Sequence, residues 1–353
     1  MINKKIKVLI VEDSILFVTI LKEILVKNNH FEICGIVKNG LAATEFVSKM
    51  RPDVITMDIN MPVMNGYDAT REIMSTNPTP IIILSANIDE TDINDTFKAL
   101  EAGAVAIIEK PSACDSPDFH LYEKRLVQLV RLMSEVKVVR RIDYKNRRRE
   151  YISRSFFSDT EISNNIEVIG IGASTGGPVV IEKILAGLPK DFSFPIVIVQ
   201  HISKGFTKGL VEWLNHSSAI PVKLAENNET ITKGVCYVAP DDAHLGIIKN
   251  TLMLSDSKPL YNMRPSVGFL FASLANNYGN KALGILLTGM GRDGSEELKA
   301  LRDTGAITIA QDKESSVIFG MPGEAIKLNG ASFIYTPDKI INFLEGLNTT
   351  KNK

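Results

Sequence analysis

The chain has 353 residues, with 40 Lys and Arg against 41 Asp and Glu, a hydrophobic fraction of 44% and three cysteines. At about 150 residues per domain this length suits two domains, each able to bury its own core, and it excludes a disulfide-stapled mini-protein. A formal charge of −1 lacks the basic excess that a phosphate backbone usually requires, so nucleic acid is not an expected partner. Cys34, Cys114 and Cys236 stand singly, with no C-x-x-C pair and no His at zinc-ligand spacing, and read as reduced packing residues. No apolar run approaches the length of about 18 residues that spans a bilayer. The N-terminal MINKKIKVLIVED runs into a strand-like segment without a signal-peptide pattern, so the expectation is a cytoplasmic protein with no membrane insertion.

From the start to residue 136, short β-branched runs alternate with helical patterns. Residues 7–11 (KVLIV), 53–57 (DVITM) and 80–84 (PIIIL) are continuous apolar runs of strand length, as expected of parallel strands covered on both faces. Between the first two, residues 14–27 carry Leu16, Ile20, Ile24 and Leu25 at helical spacing, with Ser14 as the predicted N-cap. Repeated βα units of this size predict a doubly wound α/β sheet. Residues 137–150 then hold seven basic and two acidic residues, and residues 151–165 are rich in Ser, Asp and Asn without apolar periodicity. Residues 137–165 are therefore read as a solvated linker between a domain at 1–136 and a second at 166–353. The second α/β pattern has strands at 166–171, 195–200, 234–239, 282–288 and 307–310, and helices from 177, over 266–276 and over 294–302.

In an open parallel sheet the ligand site lies at the carboxyl ends of the strands. Glu12 and Asp13 end the first strand, Asp58 the third and Ser85 the fourth, and Lys110 follows the fifth, so all five converge on one edge. Three clustered carboxylates repel, and a hard divalent cation relieves that repulsion; Mg²⁺ with retained waters suits them. One carboxylate can then attack a phosphoryl donor while Lys110 neutralises charge, and Asp58 is the candidate nucleophile.

This set resembles the receiver domain of two-component response regulators, through VEDS (11–14), MDINMPVMNG (57–66), LSA (84–86) and EKP (109–111). The resemblance implies a flavodoxin-like fold, Mg²⁺ held by Glu12, Asp13 and Asp58, and phosphorylation of Asp58 by a partner histidine kinase. It also makes Ser85 the switch hydroxyl beside Lys110. Ile107 stands where receivers usually carry an aromatic switch residue.

Residues 169–177 (IGIGASTGG) join a predicted strand to a helix. A dinucleotide fingerprint G-x-G-x-x-G would need glycine at Thr175, and the next strand ends in Gln200 and His201 without an acidic residue. The segment does contain G-x-S-x-G at 172–176, the pattern of a nucleophile elbow that exposes Ser174. A serine needs a base, itself oriented by an acid. Of the five histidines, His30 and His120 lie outside the second domain, His216 sits near a helix end and His244 follows Asp241 and Asp242 in a predicted loop. His201 alone directly follows the core strand next after the elbow. Residues 288–294 (TGMGRDG) form another glycine-dense turn carrying Asp293, either a helix N-cap or the orienting acid.

GASTGG (172–177), QHI (200–202), GFT (205–207), YVAPDDAH (237–244), RPSV (264–267), LLTGMGRDG (286–294), AQD (310–312) and FGMP (319–322) together resemble the catalytic domain of the CheB family of chemotaxis protein-glutamate methylesterases. Ser203 stands where the family commonly has proline. The resemblance implies a Ser174–His201–Asp293 triad, with Thr175, Gly176 and Met290 supporting an oxyanion hole. It implies hydrolysis of glutamyl methyl esters on the cytoplasmic helices of chemoreceptors, deamidation of receptor glutamines, and no cofactor at the esterase site. The competing readings are a response regulator with a non-catalytic binding module, a dehydrogenase and a DNA-binding output domain. The second is opposed by the glycine count and the third by the lack of a basic recognition helix.

Overall fold

A computed structural model of the chain describes residues 5–85, 90–111, 119–136, 138 and 166–351; apart from residue 138, the predicted linker lies outside them. The chain divides into two compact units, Met1–Arg148 and Arg149–Lys353.

The first unit runs β1 (Ile6–Val11), α1 (Ile15–Val26), β2 (Phe31–Val37), α2 (Gly40–Met50), β3 (Val54–Asp58), α3 (Gly66–Thr76), β4 (Ile81–Ser85), α4 (Glu90–Ala102), β5 (Ala106–Glu109) and α5 (Phe119–Met133). Its five strands are all parallel, in the order β2-β1-β3-β4-β5, the doubly wound arrangement with its switch point between β1 and β3. The apolar runs predicted as strands are the central ones: β3 and β4 are buried along their whole length. Val8, Leu9, Ile10 and Val11 are fully buried in β1, each such burial stabilising by about 1.5–3 kcal/mol. Helix α1 packs against α5, while α2, α3 and α4 pack in series, so the sheet is covered by two helical layers. Ser14 is the N-cap of α1, its hydroxyl accepting the Phe17 N–H at 3.3 Å.

The second unit contains β6 (Val168–Ala173), α6 (Gly177–Gly187), β7 (Ile196–Gln200), α7 (Thr207–Ser217), β8 (Val222–Leu224), β9 (Cys236–Val238), β10 (His244–Ile248) and β11 (Thr251–Ser255). It continues through α8 (Val267–Asn277), β12 (Ala282–Leu286), α9 (Ser295–Asp303), β13 (Ile307–Gln311), α10 (Met321–Lys327), β14 (Phe333–Tyr335) and α11 (Pro337–Lys351). Seven parallel strands lie in the order β14-β13-β12-β6-β7-β9-β8. The winding therefore reverses between β6 and β12, and the crevice at their carboxyl ends is the expected ligand position. The separate hairpin β10–β11 packs on α8. Its two-residue turn, Lys249 and Asn250, has both residues at positive φ (45° and 68°), as a type I′ turn requires. Among the described residues, no helix is long and apolar enough to cross a membrane.

Candidate active site

The elbow forms because the backbone must turn sharply from β6 into α6. Gly176 has φ +80°, a left-handed conformation disfavoured for residues with a Cβ, and a Cβ there would also sit 2.6 Å from Val317. Gly172 serves a different purpose: a Cβ would meet Val267 Cγ1 at 2.1 Å, so its absence lets the start of α8 reach the end of β6. Ser174 is half-buried at this turn, its N–H donating to Thr288 O at 3.0 Å. Neighbouring β7 pairs in register with β6, and the His201 N–H donates to Ala173 O at 2.9 Å, placing the histidine one position across from the elbow. The Gln200 side chain ties both backbones together, its Nε2 donating at 2.8 Å to Ser174 O and at 2.8 Å to His201 O.

On the other flank of β6, the loop after β12 delivers Asp293, which is 3% exposed. His201 Nε2 lies 2.8 Å from Asp293 Oδ2. Nε2 makes no well-aligned hydrogen bond there, although it is at hydrogen-bond distance from the carboxylate. Burial pushes the Asp293 carboxyl up, but His201, the Ser266 hydroxyl and the Gly268 N–H more than offset it and hold the group below its ordinary range. Among the described residues, the N–H groups of Thr175, Gly176 and Met290 donate to no protein acceptor. Beside Met290, a Cβ on Gly291 would meet nothing within 4 Å, so this loop borders open space. The loop is pinned from behind: Thr288 N–H donates to Gln311 Oε1 at 2.8 Å, and Thr288 Oγ1 donates to Thr175 O at 3.0 Å.

Asp293 does not cap α9; the N-cap there is Gly294. Its carboxylate instead receives donors from the start of α8, Ser266 Oγ at 2.7 Å and the N–H groups of Val267 and Gly268 at 2.8 and 2.9 Å. Nor is His244 in a loop. It opens β10, fully buried.

In the first unit, Glu12, Asp13 and Asp58 each offer a carboxylate oxygen, all within 4.8 Å of one another. Lys110 Nζ lies 2.8 Å from Glu12 Oε2 and 2.9 Å from Asp58 Oδ1, and also 4.7 Å above the Phe17 ring centroid. Burial and the Asp58 charge push the Glu12 carboxyl up to about 7 against the pull of Lys110. Burial also raises Asp58, against Lys110 and the Ile59 N–H. One ammonium thus faces more negative charge than it can balance, which is the donor set and charge a divalent cation fits. Ser85 ends the adjacent strand, buried, and its hydroxyl accepts from Thr96 at 3.3 Å. Ile107 is partly exposed between the buried Ala106 and Ile108 of β5.

The model of the CheB methylesterase family matches residues 169–344, and that of the response regulator receiver domain matches residues 8–116. The chain is 46% identical over 341 residues to protein-glutamate methylesterase/protein-glutamine glutaminase 1 of Syntrophus aciditrophicus, covering 96% of this chain and 97% of that protein. The chain belongs to the CheB methylesterase family. Protein-glutamate methylesterase/protein-glutamine glutaminase 4 of Geobacter metallireducens is similar over 97% of this chain and 99% of its own length, at 44% identity. The crystal structure of the Thermotoga maritima CheB methylesterase catalytic domain superposes with a TM-score of 0.50 at 39% identity, covering 52% of this chain and 98% of that one. The chain therefore joins a response regulator receiver domain to a CheB methylesterase domain.

Sequence reasoning missed Gln200 as a tie between two strand ends, and Ser266 and His244 as neighbours of Asp293. Gln200 could have been found from its place beside His201 at the end of a core strand. Ser266 was legible as a helix start, but nothing local says which carboxylate its hydroxyl meets 27 residues away.

Proposed function

We propose that Ser174, His201 and Asp293 hydrolyse γ-glutamyl methyl esters on the cytoplasmic helices of chemoreceptors, releasing methanol, and deamidate receptor glutamines by the same route. The observation that carries this reading is the 2.8 Å contact between His201 and a buried Asp293 at strand ends flanking the Ser174 elbow. The N–H groups of Thr175, Gly176 and Met290 are unengaged within the described protein and are the donors assigned to the oxyanion.

Ser174 Oγ bonds to the ester carbonyl carbon as its proton passes to His201. The Ser174 hydroxyl closes on the ring in the substrate complex, where catalytic hydrogen bonds tighten. The negative oxygen of the tetrahedral intermediate is held by backbone donors, each worth about 2.7–4 kcal/mol. The C–O bond to methoxide breaks, His201 returns the proton, and methanol leaves. Water then adds to the acyl-serine with His201 again as base, and the glutamate carboxylate and Ser174 hydroxyl are released. In deamidation the same steps expel ammonia. Asp293 stays ionised throughout, holding the imidazole and stabilising its charged form.

Residues 1–136 act as the phosphorylation switch, 137–165 as the linker and 166–353 as the esterase. Asp58 takes the phosphoryl group from the phosphohistidine of a chemotaxis histidine kinase, its carboxylate oxygen bonding to phosphorus as the N–P bond breaks and the kinase imidazole leaves. Ser85 and Lys110 then hydrogen-bond and neutralise the new phosphate. Glu12, Asp13 and Asp58 would hold Mg²⁺, which would supply positive charge beside the transferred group. Phosphorylation replaces the single carboxylate charge of Asp58 with a phosphoryl group carrying about −1.5 to −2, and this raises esterase output. The protein works in the cytoplasm.

Methanol release from methylated receptor membranes, with and without a small phosphodonor, tests the reading. Wild type releases methanol faster with phosphodonor and Ser174→Ala releases none; release independent of Ser174 under both conditions overturns the assignment.

A further inference from the structure

The Asp293 carboxylate is held almost wholly by a helix remote in sequence. Ser266 Oγ and the Gly268 N–H donate to Oδ1 at 2.7 and 2.9 Å, the Val267 N–H donates to Oδ2 at 2.8 Å, and Oδ2 alone also faces His201. A carboxylate has about four lone-pair sites, so these contacts fill it and fix its plane as well as its charge. Ser266 serves two elements at once: its oxygen accepts the Phe269 N–H at 3.3 Å as the N-cap of α8, and its single proton goes to Asp293.

Ser266 is itself located from behind by His244. The His244 Nδ1 accepts the Ser266 backbone N–H at 3.2 Å, and Nε2 lies 3.2 Å from Lys258 O. An imidazole that accepts at Nδ1 and donates at Nε2 is neutral, with one defined tautomer. The ring also stacks on Phe269, centroids 4.7 Å apart and planes 14° from parallel, so its orientation is set by α8 and by the strand that carries it. Burial, the largest influence on the ring, holds it below the ordinary histidine range, in keeping with the neutral form. The other titratable groups near Asp293 are His201, Glu297 and Tyr261, and Arg264 faces His244.

We propose that Ser266 and His244 are positioning residues of the esterase, Ser266 setting the Asp293 carboxylate so that Oδ2 meets His201, and His244 setting Ser266. The proposal rests on the reading of Ser174, His201 and Asp293 as the reacting set. It also separates the role of Ser266 from simple helix capping. Glycine is nearly as good an N-cap as serine but has no hydroxyl to donate, whereas threonine keeps both functions.

The test is the pH profile of methanol release by the full-length chain. Loss of a hydrogen bond to a charged group corresponds to about 10- to 100-fold, so Ser266→Gly lowers kcat by that factor with KM unchanged. With one donor fewer, the Asp293 charge attracts the imidazolium more strongly, and the acid limb moves to higher pH in Ser266→Gly. Ser266→Thr restores kcat to within about threefold of wild type and restores the limb. His244→Phe lowers kcat in the same direction, and combining it with Ser266→Gly lowers kcat by less than the product of the two single losses. The folded fraction of each variant is measured by urea denaturation at every pH of the profile and divided out, because stability itself falls at low pH. A Ser266→Gly enzyme with an unmoved limb, or with only KM changed, overturns the proposal, and if Ser174→Ala is inactive in the same assay the reading of the reacting set stands. An active Ser174→Ala overturns both.

Discussion

Two buried acidic sites occupy corresponding positions in the two units, each at the carboxyl ends of a parallel sheet beside its switch point, and their charges are managed in opposite ways. Glu12 is 0% exposed, Asp58 7% and Asp293 3%, so the desolvation they suffer is comparable. Yet Glu12 and Asp58 are pushed up while Asp293 is held down. The difference lies in the donors. Among the described residues, Glu12 and Asp58 share one ammonium, Lys110, and each has a single backbone N–H, from Ser14 at 3.2 Å and Ile59 at 2.8 Å. Asp293 has a hydroxyl, two N–H groups and an imidazole to itself. Burial sets the size of the penalty, and the count of donors per carboxylate sets the sign of the result. An under-compensated cluster is prepared to take up a cation and exchange charge; a saturated carboxylate is a fixed charge on which another group can rely.

The largest expected effect breaks the second site outright: Ser174→Ala lowers kcat for methanol release by about 10⁴- to 10⁶-fold. Asp293→Asn follows, at about 10⁴-fold, because a neutral amide neither fixes the tautomer of His201 nor stabilises its charged form. At the first site, chelating divalent cations prevents phosphodonor-dependent phosphorylation of Asp58, read as one phosphoryl mass on the intact chain, while methanol release without phosphodonor is unchanged. A metal requirement of the unstimulated esterase would erase the distinction between the two carboxylate sites.

Stability against pH sharpens the same contrast. The folded value of His244 lies below its ordinary 6.5, so below that pH the unfolded chain binds a proton that the folded chain does not. Its contribution is complete above pH 6.5 and falls as pH drops through that value towards the lowered folded value. Asp293, lowered from 3.8, contributes above that value and loses its contribution only as pH falls below it. Urea denaturation of the full chain followed by a reporter in the second unit should therefore show a decline beginning near pH 6.5 that His244→Gln flattens. The smallest effect belongs to a helix cap in the first unit, where Ser14→Ala costs about 1 kcal/mol, read by urea denaturation with a reporter in that unit.

The parts of the fold legible in the sequence were those in which local pattern and final environment agree. The buried strands β1, β3, β4, β6, β7 and β12 read as unbroken apolar runs because both faces are covered, and Ser14 read as an N-cap because capping is a local event. The hairpin β10–β11 did not stand out, since its type I′ turn is Lys249–Asn250 without the glycine that usually marks one. β9 lies between β7 and β8, an order that no local pattern encodes. The same division runs through the candidate active site. Ser174, His201 and Asp293 each lie at a strand end and could be gathered by counting strands. Ser266, His244 and Gln200 act through contacts between elements distant in sequence, and only the packed structure joins them.

Whether Asp293 works through His201, as the proposed roles require, is decided by a double-mutant comparison of methanol release by the full-length chain. Asp293→Asn is measured in wild type and in a His201→Ala background, with folding of each variant checked by denaturation. The expected result is a loss of about 10⁴-fold in the first background and less than about threefold in the second, because residues that act as a unit are not additive. An equal loss in both backgrounds would show that Asp293 contributes independently of His201 and would contradict the account.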